Sequence, residues 1–249
     1  MNENYAYLLV DLFCLSGPFF LSFHRSVAFY KNFKALAIGL IVMMMVYIPW
    51  DILFTHWGIW NFNEKYTLSF RWMLLPIEEW LFFLAVPFAC VFTFECVRYF
   101  KKSAPSQTFT RIATVIILVA CIILMWTAGI YELWYTLSAT TLCLILLLFH
   151  AYKKSPFLGY LLFAWMILLI PFFISNGILT GLDFYNYPLF NTSKVDITEA
   201  IVRYNNNFNL GFRIWSVPVE DFFYGLAMVL LTVTPYEYFR LKWKSKTSQ

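Results

Sequence analysis

Residues 71–79 read RWMLLPIEE, and residues 213–221 read RIWSVPVED. Both stretches carry an arginine, a tryptophan, a proline and two adjacent acids, at an offset of 142 residues. Each leads directly into an apolar segment, so each puts two carboxyl groups in or at the edge of a membrane helix. Acids in that setting are costly and usually functional. The duplication therefore predicts one site built from two related parts of the chain.

The composition is that of an integral membrane protein. Of 249 residues, 61% are hydrophobic and 13% are charged, whereas soluble domains have about 25% charged residues. The net charge of +4 does not indicate nucleic-acid binding, because the basic residues lie in short loops between apolar segments. The first apolar segment lacks the flanks of a signal peptide, so we expect a retained helix. The five cysteines form no CxxC pair, which argues against a metal site or a disulfide framework.

Seven segments have the roughly 20 apolar residues that a bilayer-spanning helix needs. They are residues 5–23, 35–54, 75–97, 112–130, 132–150, 157–179 and 217–238. The sequence therefore predicts an all-α membrane protein with seven transmembrane helices, the fourth and fifth separated by a tight turn near residues 129–132.

Basic residues indicate the orientation. Thirteen of the 18 Lys and Arg residues, Lys246 the last of them, follow the odd-numbered segments, and loops rich in Lys and Arg face the cytoplasm. The other five are Lys65, Arg71, Lys194, Arg203 and Arg213. We therefore expect an N-terminus outside the cell membrane and a cytoplasmic C-terminus. The polar loop at about 180–216 then faces outside, as a cover over the bundle or as a connector.

The motif also defines a repeat. Glu95 and Arg98 recur as Glu237 and Arg240 at the same offset, and we expect each glutamate to pair with its own neighbouring arginine. The first three helices then correspond to the last three, and a shift of four helices preserves orientation, which predicts two parallel three-helix repeats joined by a linker helix. The predicted divisions are residues 1–110 (first repeat), 111–131 (linker transmembrane helix) and 132–249 (second repeat).

The motif acids are the candidate catalytic residues. Pro76 and Pro218 suit the first turn of helices three and seven, which puts the acids within that turn or just beyond. They are Glu78, Glu79, Glu220 and Asp221. Adjacent helical residues point about 100° apart, so one acid of each pair can face the interior while the other meets a partner. Environments that separate two acidities can give a proton donor and a base from one residue type.

The candidate partners of these acids are Arg71, Arg213 and Asp51. The arginines are equally suited to be interfacial anchors, whereas Asp51 lies in an apolar segment and is expected to be functional. Helices two and six correspond only loosely: a proline precedes Asp51 in one and Asn176 in the other, at different spacing.

Aromatic residues make up 22% of the chain and crowd both motifs. Ring faces stabilise cations, so a lipid-soluble polyene that passes through a carbocation would suit such a wall. The candidate substrate contacts are Trp80, Phe83, Phe222 and Tyr224. Many other aromatics are expected to face lipid or the membrane interface.

Several classes of protein lack support. The sequence has no GxGxxG, HExxH or GxSxG motif, and no lysine in the seventh segment that could hold retinal. A proton-coupled membrane transporter stays as the alternative, because parallel repeats with buried acids also suit transport.

The paired motifs PIEE (76–79) and PVED (218–221) resemble those of the integral-membrane lycopene cyclases of archaea, some bacteria and fungi, in their fused single-chain form. The resemblance covers essentially the whole chain. It implies a lycopene β-cyclase of carotenoid biosynthesis that converts lycopene to γ-carotene and then β-carotene without a cofactor. The terminal double bond of lycopene is protonated, the cation closes a six-membered ring, and loss of a ring proton gives the β-ionone end. The residues leave open which acid donates, whether β or ε rings form, whether one or both ends react, which chain lengths are accepted, and the oligomeric state.

Overall fold

Seven α-helices account for most of the residues that the structure describes. The structure is a computed structural model, and it describes residues 3–191, 197 and 199–247, without the side chains of 246 and 247. The helices are α1 (Ala6–Leu21), α2 (Phe33–His56), α3 (Ile77–Phe100), α4 (Gln107–Tyr131), α5 (Trp134–Tyr152), α6 (Leu158–Gly181) and α7 (Glu220–Thr247). Lys194 and the Lys246 side chain, both used to predict the orientation, lie outside the described residues.

Every predicted apolar segment coincides with one of these helices. The turn between α4 and α5 is tight, and Glu132 adopts a left-handed conformation there (φ 56°) that ends α4. Of the helices in the described residues, α1 to α6 are long and apolar enough to cross a membrane, whereas α7 is not in that set. A reason lies in its sequence, since α7 carries acids at its start and charged residues toward its end.

Helices α2 and α6 each pack against a helix from the opposite half of the chain. α1 packs on α3 and α5 packs on α7, while α2 packs on α7 and α6 packs on α3. α4 lies against α5 and α6. The α2–α7 crossing is close: a Cβ at Gly39 would lie 2.5 Å from the backbone oxygen of Thr232. Glycine at this position therefore allows the two backbones to meet.

Each acid motif begins with a small β-hairpin. β2 (Arg71–Trp72) pairs with β3 (Leu75–Pro76), and β6 (Arg213–Ile214) pairs with β7 (Val217–Pro218). The turns use positive φ angles, at Met73, Leu74 and Trp215. The two hairpins thus share the same register, with the arginine opposite the proline.

The prolines stand slightly before the helices that they were predicted to begin. Pro76 has an extended conformation and is followed by α3, while α7 begins two residues after Pro218. Proline lacks a backbone N–H and is tolerated at the ends of edge strands. Its fixed φ therefore suits the change from hairpin to helix.

The long loop after α6 is folded where it is described. β5 (Val202–Tyr204) pairs with β1 (Trp60–Phe62), and β4 (Phe190–Asn191) pairs with β6. Ile201 is fully buried. The loop is thus attached to the segment between α2 and α3 and, as described below, supplies part of a cavity wall.

The far ends of α3 and α7 are joined by an ion-pair cluster. The predicted local pairs are present, from Arg98 to Glu95 and from Arg240 to Glu237, each at 2.8 Å. Arg98 also binds Glu237 at 2.7 Å, and Arg240 lies 3.8 Å from Glu95. Glu237 accepts hydrogen bonds from both arginines. The cluster therefore couples the two motif helices at the end opposite the acid pairs.

Candidate active site

The first acid of each motif is bonded to the backbone of its own loop. Glu78 accepts the N–H of Leu68 at 2.6 Å, and Glu220 accepts the N–H of Leu210 at 2.8 Å. Both carboxyl groups are fully buried. In each, the Oε2 atom has no hydrogen-bond partner among the described residues. These two acids hold the loop before each hairpin against the start of the helix.

The second acid of the first motif belongs to a network of buried polar groups. Tyr7 of α1 donates its hydroxyl proton to Glu79 Oε2 at 2.5 Å. The carboxyl groups of Glu79 and Asp51 lie close enough to interact, and Asp51 Oδ2 has no hydrogen-bond partner among the described residues. Asp51 Oδ1 in turn accepts the indole N–H of Trp60 at 2.5 Å. Asp51 of α2 therefore lies beside the second acid of the first motif.

The second acid of the other motif has a different set of partners. Asp221 Oδ1 accepts the hydroxyl proton of Tyr135 on α5. Its Oδ2 accepts the side-chain amide of Asn176 at 2.7 Å and the hydroxyl of Tyr204 at 3.2 Å. Burial, followed by the charge of Asp221, raises the pKa of Tyr204 well above its usual range, so this phenol stays a donor. All three partners of Asp221 are donors, and none of them is a carboxyl group.

The two networks have related layouts. Tyr7, near the start of α1, donates to Glu79, and Tyr135, near the start of α5, donates to Asp221. Asp51 of α2 lies beside Glu79, and Asn176 of α6 binds Asp221. Each second acid therefore has a polar neighbour on α2 or α6, although the residue types differ.

The two motif arginines bind backbone carbonyls. Arg71 Nη1 donates to the carbonyl of Leu74 at 3.3 Å, and Arg213 Nη1 donates to that of Ser216 at 2.7 Å. Among the described residues, neither forms an ion pair with a motif acid. Arg71 instead lies 3.7 Å from exposed Glu64. The arginines thus close the hairpins and do not contact the carboxyl groups directly.

Arg213 is nevertheless a buried charge. It is 3% exposed, and its guanidinium lies over the ring of Tyr204 at 5.7 Å. Burial lowers the pKa of Arg213, and the charge of Asp221 acts in the opposite direction. The side chain of Arg71 is 30% exposed. A buried cation therefore lies beside the second motif but not the first.

Glu79, Asp221 and Asp51 line one cavity of about 290 Å³. Aromatic rings form much of its wall: Trp60, Tyr135, Trp165, Phe172, Tyr204 and Tyr224. One side follows a stripe of α3, formed by Phe82, Val86, Ala89 and Thr93. This stripe spans 12 residues, or roughly 16 Å of helix. The cavity is therefore an apolar channel with acids at one end.

The candidate substrate contacts are divided between the cavity and the packing around it. Tyr224 lines the cavity. Trp80 stacks on Trp72 at 4.2 Å, Phe83 is fully buried, and Phe222 packs against Trp165. On α3 it is Phe82 that faces the cavity, because neighbouring positions on a helix point in different directions.

Sequence reasoning missed several polar groups of the site. Tyr7, Tyr135, Tyr204 and Trp60 bind the acids, and the sequence offers no marker that separates them from the other aromatics. Asp11 of α1 is also fully buried, and neither of its oxygens has a hydrogen-bond partner among the described residues. An acid inside an apolar helix is itself a signal of function, so Asp11 could have been identified by the rule applied to Asp51.

Comparisons with known proteins identify the family of this chain. No curated protein and no solved structure matches the chain. The family model described as lycopene cyclase matches residues 4–97 and 131–239. The two matched segments contain the two acid motifs and leave out nearly all of α4. They cover most of the chain, and the protein is therefore a member of the lycopene cyclase family.

Proposed function

We propose that this carotenoid cyclase is a lycopene β-cyclase that works by acid and base chemistry alone. It closes the two open ends of lycopene in turn, giving γ-carotene and then β-carotene. The observation that carries the proposal is the cavity in which Glu79, Asp51 and Asp221 meet inside an aromatic wall. The family membership gives no support to the alternative of a proton-coupled transporter.

The reaction needs no change of oxidation state. A carboxyl group gives a proton to the terminal double bond of lycopene, and the resulting tertiary cation is attacked by a second double bond of the same chain. The new ring carries the positive charge until a carboxylate removes a ring proton and forms the β double bond. One proton enters and one leaves, so substrate and product are isomers. The chain supplies carboxyl groups for both steps within one cavity.

The cavity walls suit a cationic intermediate. Aromatic ring faces attract cations, and Trp60, Tyr224 and Tyr135 pack against one another at the acid end. Burial excludes water, which would otherwise capture the cation as an alcohol. We infer that these three rings hold the cyclising end of the substrate.

The size of the cavity favours binding of one end at a time. Its volume of about 290 Å³ is at the lower limit of small-molecule sites, about 300 Å³, and is too small for a whole carotenoid. Phe13 of α1, 71% exposed, and Pro171 of α6 also line it. We infer that the rest of the polyene follows the α3 stripe and leaves between α1 and α6 into the lipid.

We also propose that all seven helices span the membrane, with α7 as the last. The N-terminus then lies outside and the C-terminus in the cytoplasm. We further propose two parallel repeats, residues 1–110 and 132–249, joined by the linker at 111–131. The reciprocal packing of α2 on α7 and α6 on α3 supports the repeats. The shared hairpins support a common depth for the two motifs.

Expression in lycopene-accumulating cells tests the function. We expect β-carotene as the main pigment and γ-carotene at early times, identified by chromatography and mass spectrometry. The matched control is Glu79→Gln, produced to the same level in the membrane. Unchanged lycopene in cells whose membranes contain the wild-type protein would reject the proposal, and ε rings would reject its β specificity.

A further inference from the structure

We propose that the two motifs divide the chemistry: the Asp51–Glu79 pair is the proton donor, and Asp221 is the base. This assignment rests on the proposed function and goes beyond it, because a cyclase requires a donor and a base but does not dictate which side chain serves as which. The two cavity-lining motif acids, Glu79 and Asp221, differ in their hydrogen-bond partners.

The first motif contains a proton that two carboxyl groups share. Asp51 and Glu79 are buried beside each other, and Asp51 Oδ2 has no hydrogen-bond donor among the described residues, which disfavours an ionised carboxylate there. Two close carboxyl groups cannot easily both ionise, so such a pair retains one proton. Among the described residues, Glu79 accepts one hydrogen bond, from Tyr7, and Asp51 accepts one, from Trp60. Both carboxyl groups line the cavity.

The second motif has the surroundings of an ionised carboxylate. Asp221 accepts three hydrogen bonds, from Tyr135, Asn176 and Tyr204. Donors directed at both oxygens favour the charged form of a carboxyl group. Asn176 stands where the first motif has Asp51, so here an amide donor replaces an acid. Asp221 is thus ready to accept a proton.

The arrangement of charged groups agrees with this division. Buried Arg213 lies over the ring of Tyr204, and the Tyr204 hydroxyl donates to Asp221. One aromatic ring therefore separates a positive charge from the base. Arg71 is directed to exposed Glu64 instead. The other ionisable groups near these acids include Tyr7, Asp11, Glu78 and Tyr224 beside the pair, and Glu220, Tyr135 and Tyr204 beside Asp221.

The proton balance closes within the site. The Asp51–Glu79 pair loses its proton to the terminal double bond, and the new C–H bond leaves a tertiary cation. Ring closure moves that charge into the ring, and Asp221 takes the ring proton as the β double bond forms. Return of that proton from Asp221 to the pair restores the protein, with no net gain or loss.

Hydrogen–deuterium labelling in D2O separates the two roles. Glu79→Gln removes the donor, so we expect about 10²–10⁴-fold less cyclisation and no deuterium in the recovered lycopene. Asp221→Asn leaves protonation intact but blocks the normal proton loss. We therefore expect deuterium in the recovered lycopene, from reversal of the first step, together with a similar loss of β-carotene. Label in Glu79→Gln, or its absence in Asp221→Asn, overturns the assignment.

Infrared difference spectra give a readout that does not need turnover. We expect the Glu79→Gln and Asp51→Asn proteins to lack the C=O band of one protonated carboxyl group and Asp221→Asn to lack none. The milder variant Asn176→Leu removes one donor from Asp221 and should add such a band, which covers the case that Asp221→Asn does not assemble. A protonated band lost with Asp221 would contradict the proposal. A wild-type protein that leaves lycopene unchanged would instead reject the function, whatever the infrared result.

Discussion

The two acid motifs share a backbone but differ in the partners of their cavity-facing acid. Both have a hairpin closed by an arginine, a first acid bonded to a backbone N–H ten residues earlier, and a tyrosine donor to the second acid. Glu79 meets the carboxyl group of Asp51, whereas Asp221 meets the amide of Asn176. A duplicated scaffold can thus supply two chemical roles by changing one residue on a neighbouring helix.

Substitution of Asp51, the residue that distinguishes the two motifs, has the largest expected effect. Asp51→Asn gives Glu79 an amide donor like that of Asp221, so neither motif keeps a shared proton. We expect β-carotene formation to fall by about 10²–10⁴-fold, measured as pigment per amount of membrane-inserted protein. The double variant Asp51→Asn/Asn176→Asp moves the shared proton to the second motif and should recover part of the activity. Near wild-type activity in Asp51→Asn would remove the pair from the mechanism.

In the ion-pair cluster, the glutamates of the two motif helices differ in their bonding, and we expect this difference to affect protein stability rather than the reaction. Glu237 accepts hydrogen bonds from both arginines, whereas Glu95 accepts one from Arg98 and lies 3.8 Å from Arg240. Breaking a buried ion pair costs about 3–5 kcal/mol, so we expect Glu237→Gln to approach that loss and Glu95→Gln to cost less. Thermal unfolding in detergent measures both. A larger loss with Glu95→Gln would contradict the observed bonding.

The tyrosine donors provide a finer comparison. Under the proposed assignment, Tyr135 donates to a carboxylate that carries a full charge, whereas Tyr7 donates to one that shares its charge with Asp51. A hydrogen bond to a charged group contributes about 1.5–3 kcal/mol and a neutral one about 0.5–1.5 kcal/mol. We therefore expect Tyr135→Phe to reduce stability more than Tyr7→Phe. Equal losses by thermal unfolding would count against a difference in charge between the two acids.

The smallest effects are expected at the first acid of each motif. Glu78→Gln and Glu220→Gln keep a side-chain oxygen that can accept the N–H of Leu68 or Leu210. We expect a cost of about 0.5–1.5 kcal/mol in stability and little change in pigment formation. If either variant lost as much activity as Asp51→Asn, that acid would belong to the chemistry rather than to the support of the loop.

Much of the architecture could be predicted because apolar length and duplication leave strong signals. The seven helices, the local ion pairs and the twin acid motifs follow from patterns within one segment or between two segments at a fixed offset. The polar partners of the acids could not be predicted, since Tyr7, Trp60 and Tyr204 come from distant parts of the chain. Phe82 rather than Phe83 faces the cavity because the rotation of α3 is set by its packing against α1 and α6.

The most direct test of the account is a single turnover with purified protein in excess over lycopene, after equilibration in D2O and without added cofactor. We expect β-carotene that carries deuterium in its rings, because a protein carboxyl group delivers the proton that starts each closure. Unchanged lycopene, or rings that contain no deuterium, would contradict it.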